Sequence, residues 1–262
     1  MISKGRITMA IHEIVGKLPS AASFEKAEQS LKQLQEGPHE YRLLSKNDID
    51  ETVKVFTYTF CHDEPMTHYL GITEEEFEPF ARQVIEKAAM DQLSVVALKE
   101  GKIIGCAIVE DVTDPLNIII DIDPKFRFIF ALLEHLTSDF FNEKIFSSGH
   151  VAHLFVTAVA KACQGKGIAK ELNAEVMRIA KQKKFSFMYS EFTHYYNEQA
   201  VLSQLKQNKL KLSSCKYKDF IYATKHPFDQ LEGYASAYIW ALHDKVNLTY
   251  QTMDQESKYA LI

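Results

Sequence analysis

The stretch ACQGKGIAKEL, residues 162–172, joins an apolar run to an amphipathic segment through a turn with two glycines and a lysine. The preceding run, HVAHLFVTAVA (150–160), is apolar on both alternating faces, which predicts a central strand covered on both sides. The following run, KGIAKELNAEVMRIAKQKK (166–184), has an apolar stripe at helical spacing and lysines at its C-terminal end. The sequence therefore predicts a strand, a glycine turn and a helix in succession.

This glycine turn has the chemistry of an anion site. The first N–H groups of a helix lack intrahelical partners, and the helix dipole places partial positive charge there. Glycines let a bulky anion approach the backbone, and Lys166 adds a full positive charge. The turn therefore predicts a phosphate or pyrophosphate site, with a tight turn that needs glycine for its shape alone as the alternative.

Two common phosphate motifs do not fit the turn. A P-loop needs the pattern GxxxxGK[ST], but Ile168 follows the second glycine and no Ser or Thr is placed to hold Mg²⁺. A dinucleotide-binding turn needs GxGxxG, but Lys170 occupies the position of the last glycine. The turn therefore matches neither motif.

The remaining segments predict a mixed sheet with helices on its faces, a three-layer α/β architecture. Strands are predicted at 41–44, at 94–111 as two strands joined at Glu100-Gly101, and at 185–192, 217–224 and 234–242. Helices are predicted at 45–60, 73–92, 123–146 and 197–210. Capping boxes at Ser45/Asp48 and Thr73/Glu76 mark the first two helix starts.

Composition and charge limit the class of protein. The chain has 262 residues and a formal net charge of −5, so it lacks the excess of positive charge that is typical of nucleic-acid-binding proteins. Its apolar runs are too short to span a membrane, and His12 and Glu13 interrupt the N-terminal patch, which argues against a signal peptide. Four cysteines without CxxC spacing fit reduced thiols in a cytoplasmic protein. We expect an N-terminal helical appendage over residues 1–40, a main domain over 41–250 and a tail over 251–262.

A family resemblance rests on the same turn. Residues 164–169, QGKGIA, match Q/R-x-x-G-x-G/A, the acetyl-CoA signature of the GCN5-related N-acetyltransferase (GNAT) superfamily. Val159 stands where that family ends its fourth strand, and Asn197 and Ala200 have its N-x-x-A spacing. The resemblance covers about residues 41–245 and implies a mixed, mostly antiparallel sheet flanked by helices. TFCHDEPMTHYLGIT (59–73) resembles the arylalkylamine and dopamine N-acetyltransferases of invertebrates more narrowly.

The resemblance implies that acetyl-CoA is the co-substrate. Its pyrophosphate would lie on the N–H groups of the glycine turn, its pantetheine arm would pair with the strand end, and a main-chain N–H near Val159 would polarise the thioester. The implied acetyl-CoA-binding residues are Ala158, Val159, Gln164, Gly165, Lys166, Gly167, Ile168, Ala169, Lys170 and Asn197. An amine would then attack the thioester directly, without an acyl-enzyme.

The attacking amine needs a base, because an alkylamine has a pKa of ~10.4 and is almost fully protonated at neutral pH. The narrower resemblance implies Glu64 as this general base, with an exposed and inert loop residue as the alternative. His153 is a second candidate base, with a satisfied core histidine as its alternative. His62 and His68 have no common zinc spacing, so we predict no metal.

The departing thiolate has no obvious acid. Many family members carry a tyrosine seven residues after the Asn of N-x-x-A, and this chain has Gln204 there. Ser203 is the adjacent candidate, Tyr195 and Tyr196 are others, and protonation by solvent is feasible for a thiol with a pKa of ~8.5.

The acceptor is predicted to be a small amine. Phenylalanines between Asp111 and His150 could roof a pocket near Asp63 and Glu64, which would suit an aromatic or hydrophobic amine, or they could belong to the core. A non-catalytic acyl-CoA-binding module and the acetylation of a protein or peptide are the alternative functions. We expect a monomer or homodimer with no nucleic-acid or membrane partner.

Overall fold

The computed structural model describes residues 39–115, 123–142, 146–205 and 208–243. Most of the predicted N-terminal appendage and all of the predicted tail therefore lie outside the described residues. The described strands form one sheet in the order β1-β2-β3-β4-β5-β7-β6. These strands are β1 (Glu40–Leu43), β2 (Val95–Lys99), β3 (Lys102–Asp111), β4 (Val151–Val159), β5 (Phe187–Phe192), β6 (Lys209–Lys216) and β7 (Tyr234–Ala241).

The described helices flank this sheet. They are α1 (Ile49–Asp63), α2 (Pro65–Tyr69), α3 (Glu74–Asp91), α4 (Phe126–Asn142), α5 (Ile168–Gln182) and α6 (Tyr195–Leu202). Both predicted capping boxes are present: Asp48 closes the short turn that leads into α1, and the Thr73 hydroxyl accepts from the N–H of Glu76 at the start of α3. None of the described helices is long and apolar enough to cross a lipid bilayer.

Two apolar cores lie on the two faces of the sheet. One joins the sheet to α1, α3 and α4 through buried residues such as Phe56, Phe80 and Leu132. The other joins it to α5, whose predicted stripe includes the fully buried Leu172 and Val176. All neighbouring strands are antiparallel except β4 and β5. The three-layer α/β/α fold with a mixed, mostly antiparallel sheet is confirmed.

The prediction was wrong near the C-terminal end. The helix expected over 197–210 ends at Leu202, and the strand expected over 217–224 lies instead at Lys209–Lys216. β6 is an edge strand with alternating lysines, a polar pattern that also fits a helix surface. The expected strand is a 3-10 turn because Tyr217 and Phe220 turn into the core.

The sheet opens between β4 and β5. Their parallel pairing joins Val151 to Phe187, Ala152 to Met188 and His153 to Tyr189, and then stops although both strands continue. Beyond His153, β4 keeps β3 as its partner and β5 keeps β7. One edge of the second half of β4 therefore has no neighbour among the described strands, and this opening positions the candidate site.

Candidate active site

The glycine turn has the backbone that the sequence predicted. Gly165 and Gly167 have φ angles of 75° and 82°, in the left-handed region that favours glycine. Cβ atoms built there would meet nothing within 4 Å, so the backbone conformation, and not crowding, calls for glycine. Gly167 is the N-cap of α5, and no side chain of the described residues caps it. The first N–H groups of α5 therefore remain available to an anion.

The side chains of the turn bind mainly to the protein itself. Lys166 Nζ donates to the carbonyl of Ala162 at 2.8 Å. Gln164 Nε2 donates to Asp63 Oδ2 at 2.8 Å and to the carbonyl of Val159 at 3.0 Å. Lys161 pairs with the same Asp63 at 2.6 Å. These bonds outweigh burial and lower the pKa of Asp63, and they tie the turn to the end of α1.

The hydrogen-bonding pattern between β3 and β4 determines which main-chain groups of β4 face the opening. The N–H of Ala160 donates to the carbonyl of Ile104 on β3 at 2.8 Å. In an antiparallel ladder alternate residues face the same neighbour, so Ala158 also faces β3, while the N–H and C=O of Val159 point the other way. A main-chain N–H therefore points into the opening at the predicted position, Val159.

A cavity of about 70 Å³, the acceptor cavity, lies between this edge of β4 and helices α1, α3 and α4. Seven phenylalanines line it: Phe56, Phe60, Phe77, Phe80, Phe126, Phe130 and Phe155. Of the phenylalanines expected to roof a pocket, Phe126 and Phe130 do so, whereas Phe140 and Phe141 pack in a separate cluster. Four of the seven come from α1 and α3, and the contribution of α1 was not indicated by the sequence. Its polar lining is Glu64, Thr67, Thr157, Glu191, Thr193 and Asn197.

Glu64 is a buried group in the wall of the acceptor cavity, which contradicts the alternative of an exposed loop residue. It is the N-cap of α2, with Pro65 in the first helical position. Its Oε1 accepts from the N–H of Met66 at 3.2 Å, and its Oε2 accepts from the N–H and hydroxyl of Thr67 at 2.7 and 2.6 Å. The cap fixes the carboxylate at one place in the wall.

His153 lies between two carboxylates on neighbouring strands. Its Nδ1 bonds Glu110 at 3.0 Å and its Nε2 bonds Glu191 at 2.8 Å, and the ring stacks on Tyr189 at 4.3 Å. Burial by itself would lower the pKa of His153, but Glu191 and Glu110 outweigh it and raise the pKa to about 9. At neutral pH the ring is an imidazolium with both nitrogens engaged, and it has no free lone pair for a base.

Glu110 and Glu191 were missed by the sequence reasoning. The available signal was a carboxylate inside each of two otherwise apolar strands, since such a charge is seldom buried without a partner.

The candidate acids lie away from the acceptor cavity. Ser203 is exposed at the end of α6, with its hydroxyl 3.5 Å from the carbonyl of Ala200. Gln204 bridges α6 and the first turn of α5 by donating to the carbonyl of Lys170 at 3.1 Å. Tyr195 and Tyr196 are 57% and 75% exposed. No group of three or more His, Cys, Asp or Glu in the described ranges is arranged to hold a metal ion.

The sequence profile of the acetyltransferase (GNAT) family matches residues 57–202, which span α1 to α6 and include the glycine turn and most of the cavity lining. The chain belongs to the acetyltransferase (GNAT) family. This membership confirms the resemblance and the expectation of an N-acetyltransferase, and the GNAT family uses acetyl-CoA as its co-substrate. A search of curated proteins found no match to the chain.

Solved GNAT-like structures share the fold at low identity. The C-terminal condensation domain of Ebony, in complex with beta-alanyl-dopamine, matches at 17% identity with a TM-score of 0.70, covering 78% of this chain and 99% of that one. Arylalkylamine N-acetyltransferase 2 from Aedes aegypti matches at 18% identity with a TM-score of 0.66, covering 79% of this chain and 100% of that one. A Drosophila melanogaster polyamine N-acetyltransferase that forms N-acetylagmatine matches at 15% identity with a TM-score of 0.59, covering 79% of this chain and 100% of that one.

Proposed function

We propose that this GNAT protein transfers the acetyl group of acetyl-CoA to a small aromatic or hydrophobic primary amine, with Glu64 as the general base. The observation that carries the proposal is an aromatic cavity with a buried carboxylate in its wall, placed beside the open edge of β4. The arylalkylamine N-acetyltransferase and the Ebony domain complexed with beta-alanyl-dopamine, which share this fold, are consistent with such an acceptor.

The coenzyme side fits acetyl-CoA through main-chain groups. The diphosphate would bind the N–H groups from Gly165 to Lys170, where α5 begins without a side-chain cap. The arm of the coenzyme would follow the unpaired edge of β4 toward Val159, whose N–H would polarise the thioester carbonyl. Ala158 would contribute by fixing this edge against β3, since its own main-chain groups face that strand.

Asn197 gives a further sign that the opening receives a ligand. It lies in the first turn of α6 and lines the acceptor cavity. Its Oδ1 is buried and has no hydrogen-bond partner among the residues that the structure describes. An unpartnered buried acceptor is costly, and an amide N–H of the pantetheine arm would satisfy it.

Glu64 suits the base role better than His153. It lines the cavity, whereas the imidazolium of His153 already gives both of its N–H groups to carboxylates. In the proposed reaction the ammonium loses one proton to Glu64, directly or through water, and the neutral nitrogen attacks the thioester carbonyl. As the C–S bond breaks, the nitrogen loses a second proton to solvent and becomes the amide nitrogen. Ser203 lies outside the cavity lining, and Tyr195 and Tyr196 are exposed, so we assign the proton that the CoA thiolate takes up to solvent.

A thiol-release assay with acetyl-CoA over a panel of primary amines tests the proposal. We expect turnover of small aromatic amines, and we expect Glu64→Gln to lower kcat by about 10²–10⁴-fold with acetyl-CoA affinity unchanged. Glu51→Gln, an exposed carboxylate on α1, is the matched control and should keep full activity. Binding of acetyl-CoA without turnover of any amine would instead support the non-catalytic module.

A further inference from the structure

Asn173 is a polar side chain on the buried face of α5. It is fully buried, like the adjacent Leu172, which belongs to the apolar core on this side of the sheet. Leu172 lies over β3, because its Cδ1 is 3.1 Å from the place that a Cβ on Gly105 would occupy. One residue further round the helix, Asn173 contacts β4 instead: its Oδ1 accepts a hydrogen bond from Thr157 Oγ1 at 2.7 Å.

The Asn173 amide lies at the opening between β4 and β5. Its partner Thr157 belongs to the part of β4 that β5 does not pair with, and Thr157 also lines the acceptor cavity. On the far side of the opening, Asn197 in the first turn of α6 lines the same cavity. Helix α6 packs against α5, where Gln204 donates to the carbonyl of Lys170. Asn173 is therefore on the side of α5 that faces the free edge of β4.

One end of the Asn173 amide is unsatisfied. Its Nδ2 is buried and makes no hydrogen bond to any residue that the structure describes. A buried donor in this state costs free energy, because it has lost its bonds to water and gained none in return. Asn197 Oδ1 is the corresponding unsatisfied acceptor. The opening therefore fits a ligand that offers both a carbonyl oxygen and an N–H.

The arm of CoA has this chemistry, because its amide groups each carry a carbonyl oxygen and an N–H. Asn173 lies about 8 Å along the helix axis from Ile168, where α5 begins and where the diphosphate is proposed to bind. The amide of the arm that comes first after the diphosphate is the one within reach of Asn173.

We propose that Asn173 Nδ2 donates a hydrogen bond to the carbonyl of the CoA arm that lies nearest the diphosphate. This inference rests on the proposed function, since it concerns the coenzyme side of the same site. Asn173 is a binding residue for the arm and moves no proton. Thr157 is a positioning residue, because its hydroxyl holds the other end of the amide.

The test measures binding to the full-length protein by calorimetry, without an amine. The two ligands are CoA and 3′-phosphoadenosine 5′-diphosphate, which is CoA without its arm. We expect Asn173→Leu to weaken CoA binding by about 3–10-fold, the effect of one hydrogen bond, and to leave binding of the nucleotide unchanged. Thr157→Val keeps the amide and should weaken CoA binding less. Thr137→Val, which removes a buried hydroxyl bonded within α4, is the control and should affect neither ligand.

Urea unfolding separates a binding role from a purely structural one. Thr157→Val combined with Asn173→Leu removes both partners of the hydrogen bond together with the unsatisfied donor, so the unfolding midpoint without ligand should not fall. The rise of the midpoint on addition of CoA should be smaller than in the wild type. A lower midpoint without ligand, together with an undiminished rise on CoA addition, would show that Asn173 serves the fold alone.

Two calorimetric results would also overturn the inference: CoA affinity unchanged by Asn173→Leu, or equal losses of affinity for CoA and for the nucleotide. If Asn173→Leu does not fold, a crystal structure of the wild type with CoA decides. A carbonyl of the arm within hydrogen-bond distance of Nδ2 would support the inference, and a water molecule in that place would overturn it.

These outcomes are distinct from those of the proposed function. CoA affinity that depends on Asn173, in a protein that releases no thiol with any amine, would support the inference and refute catalysis. Thiol release with a KM for acetyl-CoA that Asn173→Leu does not change would support catalysis and refute the inference.

Discussion

The two sides of the β4–β5 opening are built from different parts of the chain. On the proposed coenzyme side, the groups are main-chain N–H groups: that of Val159, which points into the opening, and those at the start of α5, which no described side chain caps. On the acceptor side, they are side chains: seven phenylalanines and the carboxylates of Glu64 and Glu191. The coenzyme side depends on backbone conformation, whereas the acceptor side depends on which residues occupy its walls.

This difference predicts that substitutions on the two sides have separable effects. A substitution of one of these phenylalanines or carboxylates should alter amine recognition and leave acetyl-CoA binding intact. A change of backbone conformation in the glycine turn should do the reverse. The following substitutions test this separation, from the largest expected effect to the smallest.

Phe80→Ala should have the largest effect on the acceptor side. Phe80 is 4% exposed, lines the cavity and packs edge-on against Phe77 at 5.5 Å. We expect a loss of about 3–5 kcal/mol in the free energy of unfolding, measured in urea, and a higher KM for the amine. Phe128→Ala, which removes a ring that packs edge-on against Tyr222 outside the cavity, is the control. A parallel loss of acetyl-CoA affinity would break the separation.

We expect His153→Gln to change how the free energy of unfolding depends on pH, because His153 lies between Glu110 and Glu191. The pKa of His153 is about 9 in the folded protein and about 6.5 in the unfolded chain. The contribution of the protonated ring to the free energy of unfolding is therefore complete below pH 6.5 and is lost as the pH rises through 9. The groups that face the ring are Glu110, Glu191 and Tyr189. Burial, together with the two carboxylates, raises the pKa of Tyr189, so its phenol stays neutral.

We therefore expect the difference in unfolding free energy between wild type and His153→Gln to shrink by roughly 3 kcal/mol from pH 6 to pH 10. Urea unfolding at a series of pH values measures it, and His62→Gln, an exposed histidine 2.9 Å from Glu74, is the control. A difference that does not vary with pH would show that the ring is neutral in the folded protein.

Gly167→Ala should affect the coenzyme side alone. Its φ of 82° is strained for alanine by about 1–2 kcal/mol, and relief of that strain would move the first N–H groups of α5. We expect the dissociation constant for acetyl-CoA to rise by about 5–30-fold, with amine affinity unchanged. Gly101→Ala, at φ 76° and also in open space, imposes the same strain in the β2–β3 turn. Equal acetyl-CoA affinity in both variants would contradict the role of the turn.

The glycine turn could be predicted from the sequence because its signals are local. Gly165 and Gly167 stand between a buried strand and an apolar helical stripe, and their spacing alone indicates the turn. The capping box of Thr73 and Glu76 likewise lies within four residues. Such short-range patterns specify a conformation before any tertiary contact forms.

The acceptor side could not be predicted to the same extent. Phe56, Phe80 and Phe155 come from different elements and meet only when α1 and α3 pack on the sheet. Glu191 gains its position from the separation of β4 and β5, which no local pattern encodes. β6 was missed for a related reason, because its alternation of leucine and lysine is confined to residues 209–212 and gives way to two serines, a pattern that also fits a helix surface.

The most direct measurement of the central claim is a crystal structure of the protein with CoA and 2-phenylethylamine. We predict the diphosphate within hydrogen-bond distance of the N–H groups from Gly165 to Lys170, the sulfur at the β4–β5 opening, and the ammonium in the acceptor cavity between that sulfur and Glu64. A coenzyme bound elsewhere, with the start of α5 left without an anion, would contradict it.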